Sequence, residues 1–409
     1  MGEANEMDPR RRGIDDLPRD LLRHRQLVAP ANNEPHLRAI DHLGALLQGS
    51  SADETIVAKL ARCWRDRFFN AFYERPLLLL AAMRHDALME GPKHPLARGF
   101  ADVSPDATEV TRDRVRAALA PERFSLWIAL TTRRVQTNEV SRAVAWLWPA
   151  HIAGCSGGQR PLALVDVGAS AGLNLVADAL DQFWTNTAGA TIPIVNGVDC
   201  VARIGFDTHP LDIRYDDDLT WLRACVWPGE AERLARLDDA AAAMREAYER
   251  GGRRDAAVTR PQLQALNCGL VPMRLEALAA QLPSDALVLV YQTFTRAYLE
   301  PKRQATYVKG MRDWLASRPP GSALWVECEI AEQDGASEAL VQGRGPQLAA
   351  QEFPAEILAH VGTRSGEVRS RRLARCGYHP KALQVDEQAV YELAQRLRSM
   401  GTPPLSERR

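Results

Sequence analysis

An α/β fold is what this sequence predicts: a mainly parallel sheet ended by an antiparallel hairpin, with an all-helical domain before it. Three observations predict it. Up to residue 160 apolar residues recur at helical spacing and no strand is evident. From residue 162 short apolar runs alternate with helical segments, the pattern of a parallel sheet covered by helices on both faces. At the border an apolar run, Leu162–Val167, meets a turn of small residues, Gly168-Ala169-Ser170-Ala171-Gly172, and a helix-like segment from Leu173.

The organisation follows in three parts. Residues 1–33 read as a flexible tail, with Arg10-Arg11-Arg12 beside Asp15-Asp16 and little to bury. Residues 34–155 read as a helical cap domain. There Ser51-Ala52-Asp53-Glu54 has the form of a capping box. Val57, Leu60, Ala61, Trp64, Phe68 and Phe72 follow it at helical spacing. A further helix is expected over 125–148, ended by Pro149. Residues 160–400 read as the sheet domain, with strands at 162–167, 201–206, 287–291 and 323–328. Pro272 and Pro301 suit first helical positions. Leu234, Leu237, Ala241, Met244 and Tyr248 form a stripe for packing a helix on the sheet. Residues 356–362 and 368–383, around Ser365-Gly366, read as the closing hairpin, and 387–400 as a last helix before Gly401.

Composition narrows the function. Hydrophobic residues make up 46% of the 409 and charged residues 25%, as in an ordinary globular protein. A net charge of -1 gives no field to draw nucleic acid or anionic lipid. Cys63, Cys155, Cys200, Cys225, Cys268, Cys328 and Cys376 include no C-x-x-C pair, which argues against zinc or a disulfide framework and for a reducing cytoplasm. Residues 1–20 lack the apolar segment of a signal peptide, and runs such as 77–83 are too short to cross a bilayer. The expectation is a cytoplasmic protein acting on a small molecule, with no metal, membrane or nucleic-acid partner.

The turn at 166–172 can be read two ways. Asp166-x-Gly168-x-Ser170-x-Gly172 has the form of the D-x-G-x-G-x-G turn of S-adenosylmethionine methyltransferases, with Ser for the middle Gly. Gly168-x-Ser170-x-Gly172 also spells the G-x-S-x-G elbow of serine hydrolases. A cofactor turn needs backbone close to the ligand, which Gly168 permits, and tight helix packing, which Gly172 permits. An elbow needs several strands before it, and here the preceding residues read as helical. Chain position therefore favours the cofactor over the hydrolase, and a purely structural tight turn, common between strands and helices, is the third reading. Asp166, Gly168, Ser170, Gly172 and Asn174 are the cofactor's expected contacts, and Asp207, after the second strand, is the expected ribose acid, with Asp199 and Asp212 as competitors.

Five motifs then give a resemblance to a bacterial family, the domain of unknown function 2332 family, over most of residues 75–385. They are Gly91-Pro92-Lys93-His94-Pro95-Leu96-Ala97; Gln136-Thr137-Asn138-Glu139-Val140-x-Arg142; Val167 to Leu175; Arg203-x-Gly205-x-Asp207-x-x-Pro210-Leu211-Asp212; and Cys225-Val226-Trp227-Pro228. The resemblance implies a glycine turn similar to that of Rossmann-like methyltransferases. Two departures are Asp166, where the family often has Glu, and Asn267-Cys268, where it tends to have Gly-Asp.

Polar residues in apolar surroundings complete the expected site. Gln136, Asn138 and Glu139 stand among Trp127, Ile128, Val144 and Trp146, and need partners if buried. Gln292 and Thr293 follow the third core strand, and Glu327 and Glu329 flank Cys328 on one strand face. Glu139, Gln292 and Thr293 are the expected catalytic groups. Gln136, Asn138 and Glu327 are expected to bind substrate. His94, between Pro92 and Pro95, and His379, after Gly377-Tyr378, have two readings, an acid-base group and the commoner turn-packing residue. The expected activity is methyl transfer from S-adenosylmethionine, with the helical region over the active site. The alternatives are a non-catalytic ligand-binding or scaffold protein on the same fold, and a hydrolase using Ser170.

Overall fold

Residue 138 is where the backbone passes from one unit to another. In the computed structural model a first unit takes residues 1–137, 215–235 and 334–351, and a second takes 138–214, 236–333 and 352–409. The structure describes residues 14–69, 71–157, 160–195, 198–250, 258–331 and 353–401. In chain order the helices and strands begin α1 Leu17–Val28, α2 Glu34–Leu47, α3 Glu54–Cys63, α4 Glu74–Glu90, α5 Arg112–Ala118, α6 Phe124–Thr132 and α7 Val144–Gly157. Next come β1 Leu162–Val167, β2 Thr185–Asn186, β3 Cys200–Asp207, α8 Asp216–Cys225, α9 Ala231–Arg250, β4 Gln262–Ala265 and α10 Val271–Ala279. The chain continues with β5 Leu287–Thr293, α11 Pro301–Ser317, β6 Ala323–Ile330, β7 Ala355–Gly362, β8 Val368–Cys376, β9 Ala382–Val385 and α12 Glu387–Gly401.

The first unit is helical among its described residues, and α1 corrects the expected tail over part of its length. Leu17, Leu21, His24 and Val28 recur at helical spacing and are buried. Asp20 makes a buried ion pair with Arg75 of α4 at 2.6 Å. Residues 1–13 of that expected tail lie outside the described residues. The helix start near residue 53 also differs in detail. Asp53 is the cap, accepting from the amides of Thr55 and Ile56 at 3.2 Å, and Ser51 ends a separate 3-10 turn.

The helix expected over 125–148 is three pieces. Thr131 and Thr132 turn their hydroxyls back onto the carbonyls of Trp127 and Ile128, and α6 stops. The carbonyls of Leu130, Arg133 and Arg134 are then taken by Trp64 or Arg67, by Arg67, and by Trp221. Residues 133–139 run as irregular chain, a 3-10 turn covers Val140–Ala143, and α7 follows. Pro149 lies inside α7 and does not end it. An interior Pro costs about 3 kcal/mol. Burial of Trp146, Leu147, Trp148 and Ile152 offsets it.

The second unit holds a nine-stranded sheet in the order β2-β9-β8-β7-β6-β5-β1-β3-β4. From β4 to β6 the neighbours are parallel. β7, β8 and β9 continue antiparallel, so the closing element is a three-stranded meander, one strand longer than the expected hairpin. Apolar residues fill both sheet faces. Trp146, Leu164, Leu289, Tyr291 and Leu393 lie in one cluster. Val165, Val290, Tyr307, Met311 and Trp325 lie in the other. After β1 the chain adds β3 and β4 on one side, then crosses to add β5 and β6 on the other. The direction of winding therefore reverses between β1 and β5, and open α/β sheets bind ligands outside the carboxyl ends of the strands at such a reversal.

Candidate functional site

The small-residue turn stands at that reversal, directly after β1. Gly168 has φ +83°, Ser170 +54° and Gly172 +74°, so three alternate residues are left-handed. Such a conformation costs a non-glycine residue about 1 kcal/mol or more, and Ser170 bears that cost. The turn is closed from within. The amides of Gly168 and Ala169 donate to the carbonyl of Phe206, and that of Gly172 to Ala169. Asp207 Oδ2 accepts from Ser170 N at 2.9 Å, and its Oδ1 from His209 N at 2.8 Å. Asn138 Oδ1 accepts from Leu173 N at 3.2 Å. A 3-10 segment, Leu173–Ala179, follows in place of a regular helix.

Two polar atoms beside the turn remain without partners. Ser170 Oγ and Asn174 Oδ1 are buried and make no hydrogen bond. Buried polar groups are ordinarily bonded, so Ser170 on the turn and Asn174 just after it are candidate ligand contacts. Asp166, at the end of β1, is also buried. Its Oδ2 accepts from the Tyr291 hydroxyl at 2.8 Å. Burial pushes its carboxyl up to about 7, the Tyr291 hydrogen bond opposing. Of the acids considered for the ribose, Asp207 lies at the carboxyl ends of the strands. Asp199 lies at the amino ends, where its carbonyl takes Leu162 N, and Asp212 is paired with Arg214 at 2.6 Å.

Gln292 and Glu327 come together with each other, in a sealed network on the α11 face of the sheet. Gln292 Nε2 donates to Glu327 at 3.1 Å and Glu329 at 2.9 Å, and its Oε1 accepts from the Tyr307 hydroxyl and Trp325 Nε1. Glu327 also meets His360 Nε2 at 2.9 Å, and His360 Nδ1 meets Ser370 Oγ at 2.7 Å. Burial raises the Glu329 carboxyl to about 7, against the pull of Arg296. Thr293 is half-buried at the end of β5.

This network reaches the turn through Thr295, which sequence reasoning missed. Glu329 Oε1 accepts from Thr295 N at 2.9 Å, and Thr295 Oγ1 donates to the carbonyl of Val167 at 2.8 Å. A Cβ on Gly168 would stand 2.3 Å from that Oγ1, so Gly168 must be glycine for Thr295 to lie over it. Between them, Phe294 is a second strained residue, with φ +54°.

Glu139 is buried beside the same edge. Its Oε1 accepts from Ser141 Oγ at 2.9 Å, and its Oε2 faces His379 Nδ1 at 3.2 Å. Arg142 donates to the carbonyl of Tyr378 at 3.0 Å and lies 4.4 Å over the Phe294 ring. Gln136 belongs to the first unit and is half-buried there. Sequence reading singled out Arg142 within its motif and His379 as an acid-base candidate, but not their partners, which come from distant segments.

The first unit holds its own polar cluster, Asp86, Glu90 and His94, with ligand atoms within 4.8 Å of one another. Sequence spacing did not reveal it. His94 Nδ1 accepts from Leu96 N, which puts the ring proton on Nε2, facing Asp86 at 3.3 Å. Arg123 bonds Asp86 at 2.9 Å and Glu90 at 2.6 Å, so a guanidinium supplies the positive charge. Among the described residues no helix is long and apolar enough to cross a membrane.

The conserved bacterial protein family described as uncharacterized, DUF2332, matches residues 28–384, and the chain belongs to it. The motifs that carry the resemblance do visible work in each unit. Val226 and Pro228 offer carbonyls to Arg84 and Asn33, and Trp227 stacks on His36 at 4.3 Å. Arg203 grips both oxygens of Asp178 at 2.7 Å. No curated protein matches the chain.

Proposed function

We propose that this DUF2332 chain is a methyltransferase that uses S-adenosylmethionine on a small-molecule acceptor. The observation that carries the reading is Ser170, strained, buried and with an unbonded hydroxyl, at the winding reversal of a parallel sheet. Strain held at a crevice is a recurrent mark of a ligand site. The residues suit a Rossmann-like cofactor site. Ser170 Oγ and Asn174 Oδ1 can accept from the ammonium group, Asp166 lies at the adjoining strand end, and Asp207 stands where ribose hydroxyls are held in such folds. The bound donor would supply an electrophilic methyl group. What the chain must add is alignment of the acceptor with it.

A second reading, a non-catalytic protein on the same fold, is favoured by Thr295 over Gly168 and by the internally paired amides of the turn. A hydrolase is disfavoured because Ser170 Oγ has no base bonded to it.

Calorimetric titration with S-adenosylmethionine and S-adenosylhomocysteine separates these readings. Binding is expected, and Ser170→Ala should weaken it about fivefold, the effect of one hydrogen bond of about 1 kcal/mol. Thr295→Ala, which uncovers Gly168, should leave binding intact or tighten it. Absence of binding at millimolar ligand would leave the scaffold reading. Labelling of Ser170 by a fluorophosphonate, lost in Ser170→Ala, would restore the hydrolase.

A further inference from the structure

We propose that His379 is the general base for the methyl acceptor, that Glu139 is its positioning residue, and that the acceptor is a hydroxyl or thiol; this rests on the methyl-donor reading above. The pair is built as such a base requires. The Glu139 side chain is 3% exposed and that of His379 is 40% exposed, so a buried carboxylate backs an imidazole that solvent and substrate can reach.

Glu139 is pinned by Ser141, through its hydroxyl at 2.9 Å and its amide at 3.3 Å, with Arg236 at 3.6 Å from the same oxygen. The other oxygen faces His379 Nδ1 at 3.2 Å. A nitrogen facing a carboxylate carries the ring proton, since two lone pairs would repel. The lone pair then belongs to Nε2, and the carboxylate stabilises the ring as it becomes positive.

The location fits as well. Asn138, next to Glu139, binds Leu173 at the end of the glycine turn. Arg142 binds the carbonyl of Tyr378, next to His379. Both halves of the pair are thus tied to the carboxyl edge that holds Ser170 and Phe294. Arg236 stands 3.6 Å from Glu139 Oε1, and the Arg142 guanidinium holds the residue before His379. Phe294 and Tyr378, with ring centroids 5.6 Å apart, add an apolar wall.

A base has work to do only where the acceptor must lose a proton. An O–H or S–H acceptor does so, whereas a neutral amine already offers its lone pair. The proton passes to His379 Nε2. The acceptor's freed electron pair forms a bond to the methyl carbon as that carbon's bond to sulfur breaks. S-adenosylhomocysteine leaves, and the imidazolium returns its proton to water.

The test uses the full chain with dithiothreitol and 4-nitrophenol as probe acceptors, radiolabelled S-adenosylmethionine, and S-adenosylhomocysteine for affinity. His379→Gln should lower kcat about 100-fold, the lower range for loss of a general base. It should leave the S-adenosylhomocysteine Kd unchanged, and the acid limb of the pH profile should vanish. Nitrogen-15 spectra should show the Nδ1–H tautomer of His379 in the parent and a mixture in Glu139→Gln. Turnover by His379→Gln like the parent, or no methylation of either probe while S-adenosylhomocysteine binds, would overturn the base. An unchanged tautomer in Glu139→Gln would overturn the positioning role. If S-adenosylhomocysteine does not bind, the donor reading fails by itself, and the tautomer still reports whether the pair exists.

Discussion

His24 and His36, in the first unit, and Asp166 and Glu329, in the second, are all buried, yet they hold opposite chemistry. Burial drives His24 down to about 3 and His36 well below its ordinary value, so both imidazoles stay neutral. Burial drives Asp166 and Glu329 up to about 7, so both tend to keep their protons. The backbone explains why polar side chains are buried differently in the two units. Helices joined by irregular chain leave carbonyls to be satisfied, and the first unit meets them with half-buried Arg67 and with buried Arg84 and Trp64. A sheet satisfies its own backbone, so on its α11 face Gln292 is left to bond other side chains, Glu327 and Glu329. The lesson is that burial of a titratable group follows from which backbone groups a fold leaves over.

The sharpest way to break this comparison is at the buried arginine of the sheet unit. Arg203→Met strips both oxygens of Asp178 and the carbonyl of Leu175 of their partner. It should cost about 3–5 kcal/mol, the range for a buried pair that loses one member. Urea unfolding measures it. A cost below about 1 kcal/mol, the range of surface pairs, would show that the pair is solvated.

The pH dependence sharpens the contrast, because the signs differ. His24 binds a proton more readily when unfolded, so its contribution is lost as pH falls from 6.5 towards 3. Asp166 and Glu329 hold their protons better when folded. Their contribution is full below 3.8 and 4.5 and is lost as pH rises to about 7. Each group contributes a slope on the order of 1 kcal/mol per pH unit. Denaturant midpoints from pH 3 to 8 should show His24→Gln flattening the acid side. Glu329→Gln should flatten the fall between 4.5 and 7. Equal slopes in parent and Glu329→Gln would mean that Glu329 is ionised in the fold.

The smallest effect concerns one helix end. Asp53→Ala should cost about 1 kcal/mol, the usual loss of an N-cap. Thermal unfolding reads it, and an unchanged midpoint would return the cap to Ser51.

Much of this was legible beforehand. β1 has the predicted bounds, and the strands expected at 201–206, 287–291 and 323–328 are β3, β5 and β6, longer by one or two residues at an end. Periodicity and turn chemistry are carried by neighbours in sequence, so they can be read there. Helix α1 was legible too, in Leu17, Leu21, His24 and Val28, but the charges around them masked the stripe. β4 was missed because its four residues, Gln262–Ala265, are too few for their polar–apolar alternation to stand out from a loop.

What the sequence alone determined is the glycine turn after a buried strand, the strand-helix alternation and the polar stretch at 136–139. Local sterics dictate these, since only certain residues adopt left-handed backbone or bury a whole strand. Tertiary structure alone decided where the polar groups went. Thr295 comes to lie over Gly168 because β5 pairs with β1 in one register, Val167 against Gln292. Glu139 meets His379 because the segment before α7 and the turn after β8 reach the same sheet edge. Such pairings depend on register and crossing direction, which residues far apart in the chain set together and no local pattern encodes.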